Sequence, residues 1–301
     1  MSYALLFSGQ GTQHGDMFPW LDDAPAAQPA LAALAEHVGG NWRERLRGPG
    51  RAVNVFAQPV VVGTANAAWQ ALRALLASAP EVVAGYSVGE LAAFSAVDAL
   101  EPAQAVGLAG RRADIMDRAV VARDTGLLAI SSVTEAEVVA ECHGVECAIR
   151  IADDNNVYGG ERAALLNAQR LLRERAKFKP LCVSIASHTS WMRPALHEFE
   201  CVVRKASLRP PISPVALDAT GATSRDAAVL ARALVSQIAQ CVQWRSCMGA
   251  IAERRPSCVL EIGGGQALAR MWASRFPNIP VRSLDEFRTS AGAASWIERH
   301  S

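Results

Sequence analysis

The stretch "VVAGYSVGELAAF" at residues 82–94 restricts the folds open to this chain more than any other feature. Four residues of strand character run into Gly85-Tyr86-Ser87-Val88-Gly89, and helix-forming residues follow at once. A strand that passes straight into a helix belongs to a crossover, so its sheet neighbours run parallel to it. The turn between them is tight and strained, and small residues must flank the serine on both sides; Gly85 and Gly89 supply them. The Ser87 hydroxyl then sits at the positive end of the following helix, and the amide of Val88 points to where an oxyanion would form. Ser87 is therefore read as a nucleophile. The competing reading is a glycine-rich strand-to-helix turn that happens to carry a serine.

The rest of the chain alternates in the same way. Residues 3–7 read as a buried strand, and 29–37 and 63–77 as helices with apolar residues recurring at three and four. Strand 82–86 leads to helices at 89–97 and 102–119. The pattern then changes to a compact β-α-β-α-β run: strand 126–133, a helix with a capping-box start at Thr134 and Glu137, strand 147–152, helix 161–176 and strand 180–186. That run has the size of a small ferredoxin-like insert. Beyond it come a helix, the breaker "RPPISP", a strand near 215–217, a helix at 225–239, strand 258–262, a further helix and a last strand at 281–284. The expectation is a parallel α/β core made of residues 1–122 and 187–301, split by a small subdomain at 123–186.

Composition narrows the function classes. The chain has 301 residues, half of them hydrophobic, and a formal net charge of +1. That balance gives no electrostatic bias toward nucleic acid or anionic membranes. The N-terminus "MSYALLFSGQ" lacks a basic region and a long apolar run, so no signal peptide is expected; the apolar runs are short and broken by Arg, Glu or Gly, so no membrane span is expected, and the scattered cysteines fit a reducing cytoplasm best. Seven scattered cysteines without a Cys-x-x-Cys pair favour neither a disulfide framework nor a metal site.

A serine at its free pKa needs a base. Of six histidines, His188 in "SIASHTSWM" follows an expected strand, where a loop would present it at a sheet edge; His14 is a distant second. Another glycine-rich turn, "FSGQGTQ" at 7–13, follows the first strand, and loops after parallel strands gather at one edge. Its amides would supply a second oxyanion donor, although a plain turn or a phosphate site fits as well. "VLEIGGGQAL" at 259–268 is read as a tight strand-to-helix turn, because only 36 residues follow Gly265.

Six blocks, "FSGQGTQ", "GYSVGE", "GRRADIM", "SHTSWM", "ALVSQIAQCVQW" and "EIGGGQAL", occur in an order that resembles the malonyl-CoA:acyl-carrier-protein transacylases over essentially the whole chain. "GYSVGELAAF", "SHTSWM" and the tail "ARMWASRFPNIPVRSLDEF" are most similar to one branch, the epsilon subunit of malonate decarboxylase. The resemblance implies an α/β-hydrolase-like core with a parallel sheet and a ferredoxin-like insert. It implies that Ser87 attacks malonyl-CoA and that His188 takes its proton, oriented by a backbone carbonyl at Gln237 and not by a carboxylate. The oxyanion would be held by the amides of Gln10 and Val88, and Arg112 would clamp the malonyl carboxylate, a task suited to its planar two-donor fork. Arg111 is the rival, but adjacent helix positions lie about 100° apart and only one of them faces a pocket; the family's arginine four before methionine selects Arg112, with Met116. No permanent cofactor is implied, only malonyl-CoA and the prosthetic-group thiol of an acyl carrier protein, in one setting the malonate decarboxylase carrier subunit.

The chain departs from the wider family at Ser8 and Gly264, where proline is usual, at Tyr86, where histidine is common, and in the loop "IADDNNVYGGER". The basic stretch "RLLRERAKFK" at 170–179 is either a carrier-docking face or a solvated helix face. The other functions weighed are malonyl transfer in fatty-acid or polyketide synthesis, a serine thioesterase and a non-catalytic carrier-holding subunit. A hydrolase would place its histidine near the C-terminus, whereas 113 residues follow His188.

Overall fold

The structure, a computed structural model, describes residues 2–300. Ten strands form two sheets: β1 (Tyr3–Phe7), β2 (Val82–Gly85), β3 (Thr125–Ser131), β4 (Val145–Arg150), β5 (Asn155–Glu161), β6 (Lys177–Pro180), β7 (Val215–Ala216), β8 (Thr223–Ser224), β9 (Cys258–Ile262) and β10 (Val281–Ser283). The larger sheet has the order β10-β9-β1-β2-β7-β8 and is parallel throughout except for the short β8 at its edge. Its four parallel pairings need crossover connections, which is why the Gly-x-Ser-x-Gly stretch passes straight from β2 into the helix Gly89–Ala96.

Strand β1 lies at the centre, every residue of it buried. Tyr3, Leu5 and Phe7 pack on one face, against the helices Asn54–Arg73 and Pro102–Ala119. Ala4 and Leu6 pack on the other, with Trp244 and Trp272. That two-residue alternation between two apolar layers is the reason the strand reads as one continuous hydrophobic run. Phe7 pairs with both Gly85 and Ile262, so three strands end level, and the glycine-rich turns after them meet at one edge of the sheet. No helix among the described residues is long and apolar enough to cross a membrane.

The smaller sheet has the order β4-β5-β3-β6 and is antiparallel throughout, with the helices Glu135–Glu141 and Arg162–Leu171 on one face: a ferredoxin-like arrangement. Leu128, Ile130, Val138, Leu165 and Leu172 make its own core. The capping box at Thr134 and Glu137 is formed.

Two expectations fail here. The loop-like "NNVYGGE" is β5, one of the two inner strands of this sheet, paired on both sides. Its glycines lower its strand propensity, yet a side chain does not fit: a Cβ at Gly160 would lie 2.4 Å from the Gly144 carbonyl, and one at Gly159 would lie 2.8 Å from Thr189. Conversely, the expected strand at 180–186 pairs only up to Pro180. The alternation of Leu181, Val183 and Ile185 is real, but those side chains line a cleft instead of covering a sheet. His188 therefore follows a bent segment that leaves the sheet after Leu181.

Candidate active site

Ser87 occupies the turn between β2 and the next helix with φ +56°, a left-handed conformation that costs a non-glycine residue on the order of 1–3 kcal/mol. The surroundings hold it there. Its N–H donates to Asp218 Oδ2 at 2.6 Å, and its carbonyl accepts from Gln237 Nε2 at 3.0 Å. Both flanking glycines are required by contact: a Cβ at Gly85 would lie 2.2 Å from the Gly89 backbone, and one at Gly89 would lie 2.5 Å from the Phe7 carbonyl.

The Ser87 hydroxyl lies 2.7 Å from His188 Nε2. His188 is buried and also left-handed, with φ +64°. Its backbone N–H donates to the Ile238 carbonyl, and its Nδ1 is 2.6 Å from the Gln237 carbonyl oxygen. A carbonyl only accepts, so Nδ1 carries the proton and Nε2 presents a lone pair to the serine. Burial, reinforced by the Arg112 charge, pushes the His188 pKa down to about 3 against the pull of the carbonyl bond. The imidazole is thus a neutral acceptor at pH 7.

Arg112 is buried on the helix Pro102–Ala119. Its Nη1 donates to Gln58 Oε1 at 2.8 Å and its Nη2 to Gln237 Oε1 at 2.9 Å; Nη2 also lies 3.5 Å from Ser87 Oγ. Its Nε is buried with no hydrogen-bond partner among the described residues. Burial lowers its pKa to about 10, opposed by Glu90 and Asp218, so the guanidinium stays charged at neutral pH. Arg111 faces solvent, and the choice between the two arginines falls on Arg112. Met116, one turn on, lines the same cleft, as do Gln10 and Val88. Leu127 and Ile149 of the smaller sheet close it from the other side, leaving an interior cavity of about 50 Å³ around Ser87, Arg112 and His188.

All six expected site residues gather here. His14 does not: it lies 2.8 Å from Asp285, which also receives the amides of Phe18 and Gly265, a structural hub. Sequence reasoning missed Gln58, Glu90 and Asp218. Glu90 is the sole charged residue in the helix "GELAAFSA", whose eight residues are all buried, and that isolation was its signal. Asp218 and Gln58 carried none. The departure at Ser8 has a reason: its hydroxyl donates at 2.7 Å to Glu261, a buried carboxylate that also accepts the amides of Leu268 and Ala269. Tyr86 packs edge-on against Trp244. No group of three or more His, Cys, Asp or Glu side chains is placed to hold a metal among the described residues.

The sequence profile described as "Acyl transferase domain" matches residues 4–273. The chain belongs to the acyl transferase family. Among curated relatives of this acyl transferase, the malonyl CoA-acyl carrier protein transacylase of Mycobacterium tuberculosis is 29% identical over 290 residues, covering 93% of this chain and 95% of that one. Polyketide biosynthesis protein ThaF of Burkholderia thailandensis is 30% identical over 306 residues, which are 98% of this chain and 26% of that one. The crystal structure of FabD from Acinetobacter baumannii superposes with a TM-score of 0.91 at 28% identity, covering 100% of this acyl transferase and 99% of its own chain.

Proposed function

We propose that the protein moves a malonyl group from malonyl-CoA to the prosthetic-group thiol of an acyl carrier protein through a malonyl-Ser87 intermediate. One observation carries this reading: a serine–histidine pair at 2.7 Å with a buried guanidinium 3.5 Å from the same hydroxyl. A plain esterase has no use for a buried cation there, whereas an acyl group with a free carboxylate needs one. The relatives named as malonyl CoA-acyl carrier protein transacylases support it.

In the first half-reaction, His188 Nε2 takes the Ser87 proton as Oγ bonds to the thioester carbon. The amides of Gln10 and Val88 hold the oxyanion. Collapse breaks the C–S bond, and the departing CoA sulfur takes the proton from His188. In the second half-reaction the carrier thiol gives its proton to His188 and attacks the ester, and Ser87 regains its proton as it leaves. Arg112 holds the malonyl carboxylate throughout, while Gln237 orients His188 through its carbonyl and Arg112 through its side chain. The apolar wall of Leu181, Val183 and Ile185 keeps water from the ester.

The finer reading is the epsilon subunit of malonate decarboxylase, with the carrier subunit of that complex as acceptor. Its support is the resemblance of "GYSVGELAAF", "SHTSWM" and the tail, with Tyr86 in the elbow. The relatives' names speak instead of an acyl carrier protein and, for ThaF, of polyketide biosynthesis. A malonate decarboxylase carrier subunit and an acyl carrier protein of polyketide synthesis, offered side by side as malonyl acceptors, decide between them.

Intact-protein mass after brief mixing with malonyl-CoA tests the main reading. With acetyl-CoA offered alongside, a malonyl adduct that requires Ser87, persists until a carrier thiol is added, and is lost or replaced by an acetyl adduct in Arg112→Ala is expected. Steady CoA release without an adduct would instead indicate a hydrolase. Neither adduct nor release would favour an assembly subunit.

A further inference from the structure

Two carboxyl groups are buried together beneath the serine turn. Asp218 follows β7, Glu90 lies in the first turn after the elbow, and both are fully shielded from solvent. Their hydrogen bonds differ. Both Glu90 oxygens accept: Oε1 from the Asp218 amide at 2.9 Å, Oε2 from Gln237 Nε2 at 2.9 Å. Asp218 Oδ2 accepts the Ser87 amide at 2.6 Å, but Oδ1 is buried with no partner among the described residues.

The groups facing this pair come from four elements. Tyr86 at the end of β2 and Cys247 on the helix Trp244–Ala252 are both held neutral by burial. His188 across Ser87 is neutral, and Arg112 on its helix is the one cation. Two ionised carboxylates against one guanidinium would leave a charge uncompensated in the interior, on an oxygen that no donor reaches. Glu90, with two donors, has the environment of a carboxylate; Asp218 has that of an acid.

We propose that Asp218 is a positioning residue that works in its protonated form, its Oδ2 fixing the Ser87 backbone while Oδ1 carries the proton. Burial and the Glu90 charge raise the Asp218 pKa well above the usual carboxylate range, in the same direction. A neutral acceptor holds the left-handed Ser87 without placing negative charge beneath the oxyanion. Glu90, the more readily ionised of the two because both its oxygens accept hydrogen bonds, then balances Arg112, and no second carboxylate competes with an anionic acyl group for that cation. The inference rests on reading Ser87 as the nucleophile, but not on malonyl as the acyl group.

Two measurements without malonyl-CoA test it. In the infrared spectrum at pH 7, the wild-type protein is expected to show a buried carboxylic-acid C=O stretch that shifts on ¹³C-labelling of aspartate carboxyls and is missing in Asp218→Asn. Absence of the band, or a shift on glutamate labelling instead, overturns the protonated assignment. In the second, phenylmethylsulfonyl fluoride forms a sulfonyl ester at Ser87 with loss of fluoride, read by mass against Ser87→Ala. Asp218→Ala is expected to slow this labelling at least about tenfold, and Asp218→Asn, which keeps the acceptor, to restore most of the rate. Wild-type labelling in Asp218→Ala overturns the positioning role, as does failure of Asp218→Asn to exceed Asp218→Ala when both melt as folded proteins.

Discussion

His188 is neutral because it is buried, and its protonation has a measurable cost. Its native pKa, down to about 3, lies below the ordinary value near 6.5, so between those two values the unfolded chain binds more protons than the native one. Stability from this residue is complete above pH ~6.5 and falls as the pH drops toward 3. Glu90 acts in the opposite direction: burial raises its pKa to about 7, so its contribution declines as the pH rises from about 4.5 to 7. His188→Gln, which cannot titrate, is therefore expected to lose less melting temperature than wild type between pH 6.5 and 4. Parallel melting curves for the two proteins would contradict the burial argument. At Ser8, removal of the hydroxyl leaves Glu261 with one donor fewer in the interior, and Ser8→Ala is expected to cost about 1–3 kcal/mol in urea denaturation. Ser87, His188 and Arg112 were legible as candidate residues because the serine turn, the histidine and the arginine occur within recognisable blocks. Asp218 was not, because an aspartate after a strand looks the same whether it faces solvent or lies under the elbow.

The elbow, as an element, depends on what its glycines touch. Gly85→Ala would drive a Cβ into backbone atoms 2.2 Å away, and backbone cannot swing aside as a side chain does. The expected result is a loss above about 3 kcal/mol, or no folded protein. Gly107 is the control. It lies within the helix Pro102–Ala119 with open space where its Cβ would point, so Gly107→Ala should stabilise by about 0.5–1 kcal/mol. Equal effects of the two substitutions on the denaturation midpoint would show that contact is not what selects glycine at position 85. Strand β5 follows the same rule from the other side. Its glycines answer to close neighbours far away in the chain, so local propensity misread them as a loop.

Across the whole molecule, the smaller sheet and the His188 loop are connected. The Glu146 carboxylate of β4 accepts both the amide and the hydroxyl of Ser190, two residues after His188. Ile149 of β4 also bridges to Val242, beyond the Gln237 carbonyl that holds His188. Glu146→Ala is expected to slow Ser87 acylation by about tenfold, equivalent to ~1.4 kcal/mol, while the melting temperature falls by only a few degrees; unchanged acylation would show that the smaller sheet does not steady the histidine loop. The alternating parallel core and the serine turn were determined by the sequence alone, because strand-to-helix passage and glycine flanking are local properties; helix periodicity allowed only one of Arg111 and Arg112 to face a pocket, and the family resemblance selected Arg112. Strand β5 of the smaller sheet, the bent segment before His188 and the carboxyl pair beneath Ser87 were decided only by tertiary structure. Each depends on residues distant in the chain meeting in the interior, where packing space and unpaired charge select conformations that local propensity does not favour.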